Sequence, residues 1–149
     1  MSPESVVWYA GAFLIALAVL VVVHEMGHYL AARACNVKVL RFAFGFGKVL
    51  WMRRYGCDGT EWAVSAFPLG GYVKMLDERE GEVPAAELAR AFNRQSVGRR
   101  AIIVAAGPTA NFLLAIVLYW ALFMSGVTEL KPRLALPPAG TPAAMRGAA

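Results

Sequence analysis

Two stretches of this 149-residue chain carry no charged side chain, and they limit its possible folds more than anything else in the sequence. The first, VVWYAGAFLIALAVLVVV, covers residues 6–23, and the second covers residues 101–128. A helix needs about 20 mostly apolar residues to cross a hydrocarbon core about 30 Å thick, whereas buried helices of soluble domains are commonly shorter. Hydrophobic residues make up 58% of the chain, more than the roughly half found in soluble domains. So small a globule has no core large enough for that excess. The expected fold class is therefore a membrane α-helical protein with two transmembrane helices.

A cleaved secretory signal is the plain competitor for the first run. Its amino-terminal flank, MSPES, contains no Lys or Arg and includes Glu4, and the small-residue triplet ALA falls inside the apolar run instead of after it. Both features argue for a retained span. Of the 15 Lys and Arg residues, all but Lys131, Arg133 and Arg146 lie between the two runs, from Arg33 to Arg100. Positive residues accumulate on the cytoplasmic side, so the central segment is expected in the cytoplasm and both termini outside. A net charge of +5 also raises nucleic acid as a partner. The basic residues flank spans, however, and alternate with Asp58, Glu61, Asp77, Glu78, Glu80 and Glu82, which fits the lipid bilayer and no nucleic acid. Cys35 and Cys57 then lie on the reducing side and are expected as free thiols.

At the inner edge of the first run stands VVVHEMGHYL, residues 21–30. If the helix starts at Val6, His24 lies roughly 27 Å along it, just within the cytoplasmic boundary. Continuing through YLAARA, the helix ends near Cys35 and Asn36. Residues four apart share a helix face, so His24 and His28 point the same way, as two ligands of a tetrahedral Zn2+ must. Glu25 is placed beside such a metal, where it can act on bound water. The bland alternative is a hydrogen-bonded histidine pair with Glu25 reaching to the headgroups. An ionisable residue inside a span is nonetheless a functional candidate by default. The chain has two His, and both are in this motif.

Between the spans, residues 37–52 and 60–67 are rich in β-branched and aromatic residues, and Asp58-Gly59 is a hairpin-turn signal. Pro68 and Gly70-Gly71 are expected to break the second strand. The prediction is a membrane-associated β-hairpin or small sheet inserted between the helices, with a cavity beside the metal, since open sheet edges are tolerated in lipid only against protein or water. A small cytoplasmic sheet packed on the first helix is the alternative. Residues 77–100 read as an exposed connection with one short helix near Ala85 to Phe92. In the second run, Gly107, Pro108 and Asn111 cluster; Pro frees a carbonyl and small residues admit a neighbouring helix. Asn111 is placed to bond the first helix or the metal site, or simply to hold the helices together.

HEMGHYLAAR, FGFGKVLW, FPLGGYVKMLDE, AFNRQSVGRRAIIVAAGP and ANFLLA, in this order, resemble the site-2 protease family of intramembrane zinc metalloproteases. The resemblance covers residues 21–127. It implies Zn2+ as cofactor, His24 and His28 as metal ligands and Glu25 as catalytic base. It also implies a membrane-spanning protein substrate such as an anti-sigma factor, and a bacterial inner-membrane location with the active site on the cytoplasmic side. The hairpin is similar to the family's β region, thought to present substrate as an added strand, which makes Gly45, Gly47, Gly70, Gly71 and Asn111 candidate substrate-binding positions. The implied layout is a first transmembrane helix with HExxH over 1–36, a β region over 37–76, a cytoplasmic connection over 77–100, a second transmembrane helix over 101–128, and the opening of an extracytoplasmic, PDZ-like segment over 129–149. The family's third zinc ligand is an Asp in an LDG motif. Here the Asp residues are Asp58 and Asp77, in other contexts, so the chain is expected to be an amino-terminal part that is inactive alone. A non-catalytic adaptor that holds a partner span, and a metal-handling membrane protein, are the readings from other classes.

Overall fold

The computed structural model describes residues 2–126; the expected segment 129–149 and the end of the expected second span lie outside the described residues. The chain divides into two compact units, Met1–Leu118 and Tyr119–Ala149. Helix α1 runs over Pro3–Ala34, strand β1 over Val39–Tyr55, strand β2 over Thr60–Met75, and helix α2 over Val97–Met124, with 3-10 turns at Ala85–Arg90 and Phe92–Arg94 between β2 and α2. Both α-helices are long and apolar enough to cross a membrane. This is a helical membrane fold with a small inserted sheet.

Local chemistry sets the ends of α1. Ser2 caps its amino terminus by accepting a hydrogen bond from the Ser5 amide at 3.3 Å, Pro3 occupies the first turn, and Glu4 complements the helix dipole. At the other end Asn36 takes a left-handed φ of 60°, which Asn tolerates better than most residues. The Val37 amide then donates to the Ala32 carbonyl at 2.9 Å and the Asn36 amide to Arg33 at 3.0 Å. That pair of bonds is a Schellman stop. It also puts Ala32 and Val37 together in the core, both fully buried. At 32 residues the helix is roughly 48 Å long, enough to cross the hydrocarbon and continue into the boundary layer.

Each strand bends at its middle, so two strands make four rows. Residues 39–44 pair on one side with 71–75, through Val39–Met75, Ala43–Tyr72 and Phe44–Gly71. On the other side they meet 61–64, through Arg41–Glu61 and Phe44–Val64. Residues 60–65 pair in turn with 49–55, from Val49–Ser65 to Tyr55–Thr60. The bends fall at Gly45-Phe46-Gly47, where both glycines have φ near 85°, and at Pro68 to Gly71. The expected break at Pro68 is thus a bend: β2 continues to Met75. Pro68 lies between the rows, where no ladder partner asks for its missing N–H.

The core of the first unit joins three elements: Ala32 from α1, Val37 and Val39 leading into β1, and Ile103 from α2, with Tyr29, Val73, Met75 and Phe92 packed around them. At Gly27 the two helices meet backbone to side chain. A Cβ there would lie 2.8 Å from the Ala110 Cβ and collide with the Ala106 carbonyl oxygen. The connection is more ordered than the expected exposed segment: the Phe92 amide donates to Leu76 at 2.7 Å, the Lys38 amide donates to Arg90 at 3.1 Å, and Ala91 and Gln95 are buried. Its expected single helix is instead the two 3-10 turns. In the second unit the described residues finish α2, and Gly126, at φ 82°, follows the Ser125 amide bond to Ala121. Cys35 and Cys57 are free.

The hairpin turn is tied back to the connection by charge. Asp58 accepts two bonds from Arg90, at 2.7 and 2.8 Å, with Arg33 at 3.7 Å. The Arg90 hydrogen bond holds the Asp58 carboxyl below its usual range, and Arg33 and Lys38 add to the effect. A carboxyl depressed in the folded state stabilises the fold above its unfolded value of about 3.9, and that contribution is lost as pH falls through the lower folded value. Asp58→Asn should therefore cost on the order of 1–3 kcal/mol at neutral pH. Thermal unfolding curves of variant and native protein should converge as the pH is taken below 3.9 toward the lowered folded value; a gap that persists in acid would contradict this role.

Candidate metal centre

His24, Glu25 and His28 lie on α1 where it faces α2 and the sheet. The one-turn spacing brings His24 Nε2 and His28 Nε2 to 3.2 Å from each other. Their outer nitrogens are held by α2. His28 Nδ1 lies 2.8 Å from the Ile103 carbonyl oxygen, which only accepts, so Nδ1–H donates in this bond and Nε2 is turned toward His24. His24 Nδ1 lies 3.4 Å from Asn111 Nδ2. Asn111 Oδ1 is buried and has no partner.

Do these residues fit a metal? Bonds of 2.0–2.1 Å at a tetrahedral angle place two imidazole nitrogens about 3.3–3.4 Å apart. The observed 3.2 Å is close to that edge. The His28–Ile103 bond is the kind of outer support that fixes a ligand's tautomer. The backbone of α2 leaves the space: a Cβ at Gly107 would stand 2.7 Å from His24 Nε2 and 2.6 Å from His28 Cε1, and would collide with His28 Nε2. The two imidazoles thus fit two positions of a zinc site. Among the described residues no group of three His, Cys, Asp or Glu side chains gathers to hold an ion.

Glu25 and His24 line a cavity of about 470 Å³ with Phe46, Leu69, Gly71 and Asn111. A smaller hollow of about 200 Å³ lies between Glu25, His28, Val73, Phe92 and Ile103. The structure therefore brings Gly70, Gly71 and Asn111 to His24 and Glu25. Gly71 admits the glutamate: a Cβ there would lie 3.1 Å from Glu25 Cγ and 2.8 Å from the Ala43 carbonyl. Gly45 and Gly47 do not line the cavity. They form the bend that delivers Phe46 to it, and a Cβ at Gly45 would be 2.7 Å from the Phe67 carbonyl. Phe46 and the Ile103 carbonyl escaped the sequence reading, whereas Gly107 was read as a place where a neighbouring helix approaches. The Gly-Phe-Gly triplet was a usable signal for Phe46; nothing in sequence marks a backbone carbonyl as a histidine's partner.

His24 and His28 paired on one face of α1, with Glu25 beside an open cavity, are groups that a metal-dependent hydrolase would use. The chain matches the model of peptidase family M50, the site-2 protease family, over residues 12–144, and belongs to that family. It is 56% identical over 129 residues to the regulator of sigma-E protease RseP of Salmonella typhimurium. It is also 52% identical over 128 residues to that of Escherichia coli K12. A Vibrio cholerae relative whose name carries the words zinc metalloprotease is 55% identical over 127 residues. These matches cover 85 or 86% of this chain but 28% of each relative, so the chain spans under a third of their length.

If α2 must come this close, Gly107→Ala should empty the centre without unfolding the protein, because Ala favours a helix interior over Gly by about 1 kcal/mol. Metal content per protein, measured beside the melting temperature, checks this. A variant that keeps native zinc content would show that the contact is not limiting.

Proposed function

We propose that the chain forms the histidine and glutamate part of an intramembrane zinc metalloprotease that cleaves a transmembrane segment of a membrane-anchored protein such as an anti-sigma factor. The observation that carries this reading is the pair of Nε2 atoms 3.2 Å apart with Glu25 over the adjoining cavity. The names of the relatives support it. His24 and His28 would hold zinc, with a further ligand from outside the described residues. A bound zinc would supply Lewis acidity to water and to a peptide carbonyl.

The rest of the chemistry belongs to the chain. Glu25 takes a proton from the attacking water on its carboxylate oxygen, then delivers it to the leaving amide nitrogen. A substrate helix hides its amides in its own hydrogen bonds and must be unwound before attack. The row 71–75 is paired on one side with 39–44, and its start lies against Glu25. Strand addition along this edge would replace the bonds that the unwound segment gives up. Gly70 and Gly71 keep side chains out of the approach, and Gly45 and Gly47 set Phe46 as a wall of the same cavity. The charge distribution favours an inner-membrane, multi-pass protein with this centre near the cytoplasmic boundary, where a carboxylate is less costly than at the midplane.

The absence of a third ligand among the described residues favours one competing reading, a non-catalytic adaptor that holds a partner span. Glu25→Gln in the full-length protein separates the two. A protease should lose at least 100-fold in cleavage rate while native zinc content persists, in line with the usual worth of a general base; an adaptor should keep its function. For the strand step, proline at Tyr72, within the row 71–75, should abolish cleavage and leave zinc content intact, and full activity would refute strand addition.

A further inference from the structure

A second cavity of about 470 Å³ is lined by Tyr29, Trp51, Tyr55, Gly56 and Trp62 and shares no residue with the hollows around the histidines. Strand alternation puts Trp51, Arg53 and Tyr55 on one face of the outer row, and Arg53 stands directly across from Trp62. Tyr29 of α1 packs on that same face, its ring 5.2 Å from that of Trp62. At the rim, Arg53 donates to the Tyr55 hydroxyl at 3.2 Å. Arg33, one turn beyond Tyr29 on α1, also reaches the rim, where a Cβ on Gly56 would lie 3.6 Å from its guanidinium. Asp58 is the carboxylate near Arg33, and Arg90 already occupies both of its oxygens. Among the described residues Arg53 has no carboxylate partner. An aromatic lining thus meets a rim of positive charge that acidic side chains do not balance.

Its depth says what such a cavity meets. The charge-free run of α1 ends at Val23, and Tyr29 follows roughly 9 Å further along the helix, past the hydrocarbon and in the headgroup layer. We propose that this cavity binds one anionic phospholipid, its phosphate on Arg53 and Arg33 and the start of an acyl chain on Tyr29, Trp51 and Trp62. Guanidinium forks match phosphate oxygens through charge-assisted hydrogen bonds. Tyr and Trp offer an apolar body with a polar tip, which suits the place where chain gives way to headgroup. A headgroup that carries its own ammonium would bring positive charge to a positive rim, so a net negative lipid is preferred. Held there, the lipid bridges the outer row to α1. The inference stands on the fold and is independent of the zinc reading.

The test uses the full-length protein in detergent, titrated with dioctanoyl phosphatidylglycerol while native mass spectrometry counts bound lipid. Arg53→Gln and Trp51→Ser probe the rim and the lining. Lys48→Gln removes the same charge from the same strand but outside the cavity lining. Each variant is checked for a native elution profile. The native protein should take up one lipid at low concentration, and Arg53→Gln should raise the half-saturating concentration about 10-fold or more, as loss of a hydrogen bond to a charged group does. Trp51→Ser should weaken binding too, and Lys48→Gln should bind as the native protein does. Equal weakening by Lys48→Gln and Arg53→Gln would show diffuse attraction to the surface and overturn the site. Should the variants fail to fold, competition on the native protein decides. Displacement of the lipid by glycerophosphate at the same concentration would mark a free-phosphate site, and equal uptake of dioctanoyl phosphatidylcholine would remove the charge selection. Either result, or a native protein that holds no lipid, overturns the proposal while leaving the zinc reading untouched.

Discussion

The contact between α1 and α2 is the constraint on which the rest of the structure depends. Gly27 lets the Ala106 carbonyl reach the backbone of α1, and Gly107 lets the backbone of α2 reach both imidazoles. Lipid offers no hydrophobic drive for helix association, so close packing and interhelical hydrogen bonds have to hold such a pair. Here the packing at Gly27 and the bonds from His28 to Ile103 and from Asn111 to His24 lie on the same helix interface. The centre is thus part of what joins the helices. A change that separates them by the width of a methyl group disturbs the ligand geometry and the packing together.

The sheet answers a second constraint of the same medium. Backbone polar groups near hydrocarbon need partners, and a hairpin that simply entered the membrane would expose two unpaired edges. Folding each strand at its middle pairs the inner rows on both sides and leaves two outer rows, 71–75 and 49–55. One outer row begins against Glu25. The other carries exposed Trp51, Met52 and Tyr55, with Arg53 and Arg54 among them, a mixture suited to the lipid–water boundary. Fixing the turn to the connection through Asp58 and Arg90 holds this arrangement at the end of the sheet where the turn lies.

Much of this was legible before the structure. The absence of charge over residues 6–23 and 101–128 announced two spans, because charge in hydrocarbon is costly whatever the fold. HExxH announced a shared face, since helix periodicity alone aligns His24 with His28. Asp58-Gly59 announced the turn through local backbone preference. What escaped were effects of elements distant in sequence. Pro68 reads as a strand breaker, yet the ladder lets it sit in a gap between rows. The connection reads as exposed from its charge, yet Ala91 and Gln95 are buried because Lys38, Leu76 and Phe92 fold it back onto the sheet. Phe46 became a cavity wall only through the bend on either side of it.

By itself the sequence determined which segments are apolar enough to lie in lipid, where α1 stops, and that two imidazoles and a carboxylate share one helix at the end of its apolar run. These follow from local periodicity, capping chemistry and the cost of desolvating charge, all of which act over a few residues. Only the tertiary structure decided that α2 supplies the carbonyl and amide behind those imidazoles, that a glycine on the opposing helix marks the limit of approach, and that a folded sheet brings Gly70, Gly71 and Phe46 to the same cavity. Those outcomes depend on distances between residues 75 or more positions apart in the case of the helices, and no pattern within one helix can encode them.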